Sequence, residues 1–136
     1  MSYGVSAALQ TAVFQTLSGN VPLGSIVGSA IYDAIPSGTL PPIYVALGEE
    51  TARDRSDKTG SGAEHLITVS VVTDTSGFQQ AKQAAAAISD ALHQVDLTLS
   101  RGNLVGLSFS KAAARREGTG ALRRIDLTFR ARVQDN

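Results

Sequence analysis

Residues 65–92 read HLITVSVVTDTSGFQQAKQAAAAISDAL, and their hydrophobic period changes once. At the start, Ile67, Val69 and Val71 alternate with Thr68 and Ser70, the two-residue period of a half-buried strand. From Phe78 onward, Phe78, Ala81, Ala85, Ile88 and Leu92 recur at a spacing of about 3.6 residues, with Ala84, Ala86, Ala87 and Ala91 adding helix propensity. Asp74, Thr75 or Ser76 is expected to cap that helix. So many alanines predict a helix lying close against a sheet.

Downstream, Leu97-Thr98-Leu99 predicts a short strand, and Arg101-Gly102-Asn103 a turn. Val105, Leu107 and Phe109 then alternate with Gly106, Ser108 and Ser110 in a strand. Residues 116–120 form a hairpin connection. The last strand places Ile125, Leu127, Phe129, Ala131 and Val133 inward and Arg124, Asp126, Thr128, Arg130 and Arg132 outward.

Upstream, Val5, Leu9, Val13 and Leu17 recur every four residues, with Ala8, Ala12 and Phe14 widening the stripe of an amphipathic helix. Ser18-Gly19-Asn20 ends it, and Pro22 suits the first turn of a short helix through Ile26 and Val27. Ile31-Tyr32-Asp33 is too short to assign, and residues 35–38 turn the chain. Ile43–Leu47 predicts a strand between Pro42 and Gly48. No apolar period survives from Gly48 to Glu64, which predicts a long polar loop. The expected fold is therefore α+β: one domain over residues 1–136, a small antiparallel sheet of about four strands, helices on one face and a long loop after the first strand.

The 136 residues include no cysteine, which excludes disulfides, thiolate metal sites and a cysteine nucleophile. MSYGVSAALQ lacks a basic run followed by an apolar core, so no leader is expected. The apolar runs are short of the ~20 residues a membrane span needs, and no membrane partner is expected. Formal net charge is zero, yet residues 1–100 carry −5 and residues 101–136 carry +5. Such a split suits head-to-tail contact between copies better than coating of nucleic acid.

No catalytic constellation is legible. Neither His65 nor His93 lies near a Gly-x-Ser-x-Gly elbow, and His93 falls at a helix C-terminus, where a cap or surface role is expected. Glu64 and His65 are adjacent on a strand and point to opposite faces, a poor ligand pair. Gly60-Ser61-Gly62 and Gly118-Thr119-Gly120 match no phosphate-binding pattern. Glu49-Glu50 is the only adjacent acidic pair, with no apolar surroundings to raise a pKa. No catalytic residue, metal or cofactor is expected. The candidate interface residues are Glu49, Glu50, Arg53, Asp54, Arg55, Asp57 and Lys58 in the polar segment, and Arg115, Arg116, Arg123 and Arg124 around the last hairpin.

Several ordered segments resemble a known family. They are Leu9–Phe14, Ile31–Pro36, Pro42–Glu49, Asp54–Gly60 followed by Gly62–His65, and Leu127–Arg130. Together they resemble the tail terminators of siphophages, prophages and gene transfer agents, the gene transfer agent version most of all. The resemblance implies a structural virion protein: a hexameric ring that caps the tail tube, stops its polymerisation and joins it to the neck and head. It implies assembly in the bacterial cytoplasm and a place in the released particle. The implied partners are other copies of the chain, the tail tube protein and a neck or head-closure protein, with DNA passing through the lumen without sequence-specific binding. Another neck component, such as a head-closure or connector adaptor protein, is the nearest alternative. A small-ligand or enzymatic domain would need a pocket with converging polar groups, and no candidate residues stand out for one.

Overall fold

A computed structural model describes residues 3–56, 60–118 and 121–135. The elements run α1 (Ser6–Ser18), α2 (Val21–Val27), β1 (Ile31–Tyr32), β2 (Ile43–Asp54), β3 (Gly62–Thr73), α3 (Gln79–Leu92), β4 (Asn103–Glu117) and β5 (Leu122–Gln134). The strands form one sheet in the order β1-β2-β3-β5-β4. Every neighbouring pair is antiparallel except β1–β2, which is parallel. The fold is the expected α+β, with the unassigned Ile31-Tyr32 supplying a fifth strand.

The expected stripes make the core. Leu9, Val13 and Leu17 of α1 are buried with Leu23 of α2 and Ala81, Ala84, Ile88 and Leu92 of α3. They pack with Val69 and Val71 of β3 and with Ile125, Leu127, Phe129, Ala131 and Val133 of β5. The alanines let α3 lie close to β3, β5 and β4. The Asn20 side chain caps α2, accepting from the Leu23 amide at 2.9 Å, and Pro22 occupies its first turn. α3 lacks the expected side-chain cap: its N-cap is Phe78, and Thr73 and Thr75 instead bond each other at 3.0 Å.

Three local expectations change. Most of the long polar loop is strand, because β2 continues to Asp54 and β3 begins at Gly62. A register shift between Leu47 and Glu50 interrupts the alternation. Beyond it the ladder to β3, rather than an apolar stripe, maintains the strand, so hydrophobic period alone misses it. Leu97-Thr98-Leu99 forms no strand; Leu97 and Leu99 pack against the core from irregular chain. β4 extends to Glu117, with register shifts at Leu104/Gly106 and Phe109/Lys111 that break the inward alternation. Leu107 is buried, while Val105 is 62% and Phe109 39% exposed. The −5 and +5 parts of the sequence take opposite sides of the sheet: β1, β2 and β3 of the first part lie together at one edge, and β5 and β4 of the second at the other.

Candidate assembly surface

The three helices cover one face of the sheet. The other face carries a small apolar cluster, Ala30, Tyr44, Ala46 and Val72, with Tyr32 and Leu40 against it. Beyond this cluster the helix-free face is polar. Ser70, Asp126, Arg124 and Arg115 form a network there. Asp126 Oδ1 accepts from Ser70 Oγ at 2.6 Å and from Arg124 Nε at 2.8 Å, and Oδ2 accepts from Arg115 Nη1 at 2.8 Å. Burial pushes the Asp126 carboxyl up, but these hydrogen bonds outweigh it and hold the group below the usual carboxylate range.

The four hairpin arginines therefore differ in role. Arg123 turns to the helix side, is buried, and donates from Nη1 to the Thr75 carbonyl at 3.0 Å, with its guanidinium 5.4 Å from the Phe78 ring centroid. Arg124 and Arg115 share Asp126, and Arg115 also lies 3.5 Å from Glu117. Arg116 is exposed and has no ion pair among the described residues. It is the most available of the four.

The candidates in the polar segment also separate. Glu49 and Arg53 are exposed on β2. Asp54 Oδ1 accepts from the Ser56 amide and hydroxyl, closing a tight bend. Arg55 lies 3.7 Å from Glu64. Asp57 and Lys58 fall outside the described residues.

Glu50 turns to the helix side. His65 Nδ1 donates to Glu50 Oε2 at 2.9 Å, Ser6 Oγ donates to the same carboxylate at 2.9 and 3.0 Å, and the Tyr3 hydroxyl donates to it as well. Tyr3 stacks on the His65 ring with centroids 6.0 Å apart. The cluster ties the chain before α1 to the β2–β3 ribbon. Sequence spacing could not reveal it, because Tyr3 and Glu50 are 47 residues apart. It lacks the geometry of a hydrolase. The carboxylate lies between the hydroxyl and the imidazole, so Ser6 meets no imidazole, and the His65 ring is fully buried.

Burial pushes the Glu50 carboxyl up, yet the hydrogen bonds from Tyr3, His65 and Ser6 prevail and hold it below the usual range. A carboxylate depressed by folding contributes stability that is complete above its unfolded value, about 4.3, and lost as pH falls through the folded value. Asp126 acts in the same sense. Stability from urea melts should thus decline below about pH 4.5, and Glu50→Gln should flatten that acid limb. An unchanged limb would show that the cluster does not govern it.

His93 is the exposed C-cap residue of α3, as expected, and the Phe109 amide donates to its Nδ1 at 3.0 Å. Among the described residues, no group of three or more His, Asp and Glu could hold a metal ion, and no helix is long and apolar enough to cross a membrane.

A polar sheet face left uncovered by the helices and a long edge strand, β4, offer the domain surfaces for contact. The family described as "Tail completion protein gp17" matches residues 11–134, and the chain belongs to it. Among solved structures, it is similar to a chain from one described as "Virion of native gene transfer agent (GTA) particle". Identity is 56%, the match covers 98% of this chain and 99% of that one, and the TM-score is 0.94. No curated protein matches.

Proposed function

We propose that this chain is the terminator of a phage-like tail. Copies of it, six in our reading, close into a ring on the end of the tail tube, stop its growth and present the surface on which neck proteins dock. DNA passes through the opening without sequence-specific contacts, and the ring leaves the cell within the particle after assembly in the bacterial cytoplasm. The observation that carries this is the near full-length 56% identity to a chain of a gene transfer agent virion, together with membership in the tail completion family. The chain acts through its surfaces rather than by catalysis. Its uncovered polar face and strand edges supply what a closed heterologous ring requires.

The test is deletion of the gene in the producing cell, followed by electron microscopy of the products. The expected result is unjoined heads and tubes of uncontrolled length. Tubes of normal length that fail only to join heads would assign the chain to the neck instead and overturn termination. Native mass measurement of the purified chain or of released rings reports the copy number.

A further inference from the structure

We propose that the sheet continues from one subunit to the next: the outer edge of β4 over Lys111–Arg116 pairs antiparallel with the outer edge of β2 over Gly48–Arg53 of a second copy. This rests on the ring proposed above and names the contact that would close it.

Both stretches are open edges. Near its start, the outer side of β4 is occupied: the Leu107 carbonyl accepts from the Gln94 amide at 2.7 Å, and the Phe109 amide is taken by His93. From Lys111 to Arg116, among the described residues, no hydrogen bond reaches that side. At the opposite edge, β1 pairs only with Val45 and Ala46, and no backbone bond reaches the outer side of Gly48–Arg53 among the described residues. Unpaired edges invite strand addition unless they are blunted by charge, proline or twist. Ala112, Ala113 and Ala114 on the β4 edge are exposed and small, so they offer no obstacle to an approaching strand.

The two stretches match in length, six residues each, and in direction. Alternation through β2, β3, β5 and β4 makes the outermost two strands run oppositely, so a neighbour related by rotation about an axis along the sheet presents β2 antiparallel to β4. Aligned end to end, Thr51 faces Ala113 and Glu49 faces Arg115. Both members of each pair belong to the helix-free face: Glu49, Ala113 and Arg115 line one depression there, and Thr51 pairs with Leu66, which shares its side of β3 with Thr68. The like-charged Arg53 and Lys111 meet only at the end of the match, where both side chains are exposed.

The offset between the open stretches fits closure. Thr51 is level with Leu66, Arg130 and Ser108 across the sheet, whereas Ala113 is level with Asp126, Ser70 and Ala46. The two levels are four residues apart on the regular strands β3 and β5, so joining Thr51 to Ala113 slides the neighbour by ~13 Å at ~3.3 Å per residue. Four strands span ~19 Å at ~4.8 Å each. A slide of that size per subunit tilts the strands by about 35°, at the lower end of the 35–45° that closed barrels adopt. The tilt does not depend on the number of subunits, and closure would remove both free edges.

Disulfide trapping tests the pairing directly, because the chain has no cysteine of its own. Directly opposed residues on antiparallel strands bring their Cβ atoms to disulfide distance, most closely in alternate pairs. Two double variants therefore cover both cases: Thr51→Cys with Ala113→Cys, and Ala52→Cys with Ala112→Cys. Each is oxidised mildly in assembled rings or particles and run on a denaturing gel. The expected result for at least one is a ladder of covalent multiples ending at the ring's copy number, with each single-cysteine control stopping at dimer. Intact rings with no ladder from either variant would overturn edge pairing and leave the ring standing. Absence of both rings and ladders, in variants whose melting matches the parent, would overturn both.

Discussion

Truncating Phe129 to alanine is expected to destabilise the domain by about 3–5 kcal/mol, the range for buried aromatic deletions. Phe129 is fully buried in the middle of β5. It stands opposite Ile67 on β3 and Phe109 on β4, with the two phenyl rings edge-on at 5.9 Å. Because strands flank it on both sides, the sheet cannot collapse into the void, and the cost should fall in the upper part of the range. Ile88→Ala and Leu92→Ala, on the opposing face of α3, are each expected to cost about 2–5 kcal/mol. Urea melts with an unchanged slope would report all three as shifts in midpoint. A loss below about 1 kcal/mol for Phe129→Ala would mean that the helix layer repacks over β5, and that the core is less fixed than its burial suggests.

How much of this was legible in the sequence follows from what each element depends on. α1, α3, β3 and β5 each bury one clean stripe, so their period alone reveals them and their inward faces. The distal half of β2 has no such stripe. Its helix-side position carries Glu50, whose partners Tyr3, Ser6 and His65 come from elsewhere in the chain. A strand maintained by its ladder and by a polar cluster leaves no hydrophobic signature. The two register shifts in β4 similarly turn Val105 outward although alternation predicts it inside. The opposed charge of the two parts of the chain was legible, and the strand order keeps the parts on opposite sides of the sheet, but which charges pair inside the subunit was not. In the fold, Arg101 pairs with Asp135, Arg115 and Arg124 with Asp126, and Arg130 with Glu64. Tertiary pairing therefore decides which charges remain for a partner.

What remains exposed motivates the last prediction. Replacing Arg115 and Arg116 together with glutamate is expected to weaken ring formation by at least about 100-fold, because like charges brought together across an interface cost several kcal/mol. Under the proposed alignment, Arg115 faces Glu49 of the neighbour, and the reversal turns an attraction into a repulsion. Arg116 lies one residue further along the same edge, without an internal partner to hold it among the described residues. Each exposed pair contributes only about 0–1 kcal/mol, so the reversal acts mainly by adding repulsion. The reversal also removes the Arg115 bond to Asp126 and brings a carboxylate near Asp126 and Glu117, so fold stability should fall somewhat, and assembly is compared where melts show the reversed protein folded. Glu49→Arg in the same chain should restore part of the assembly. Assembly of the parent protein should weaken as salt rises above about 0.15 M, where the screening length shortens below about 8 Å. Light scattering across a salt series and native mass spectra of the three proteins would read these effects. If the reversed protein instead forms normal rings and terminates tails at normal length while DNA delivery alone falls, the arginines face the channel and not a neighbour, and the inter-subunit assignment of this charge is wrong.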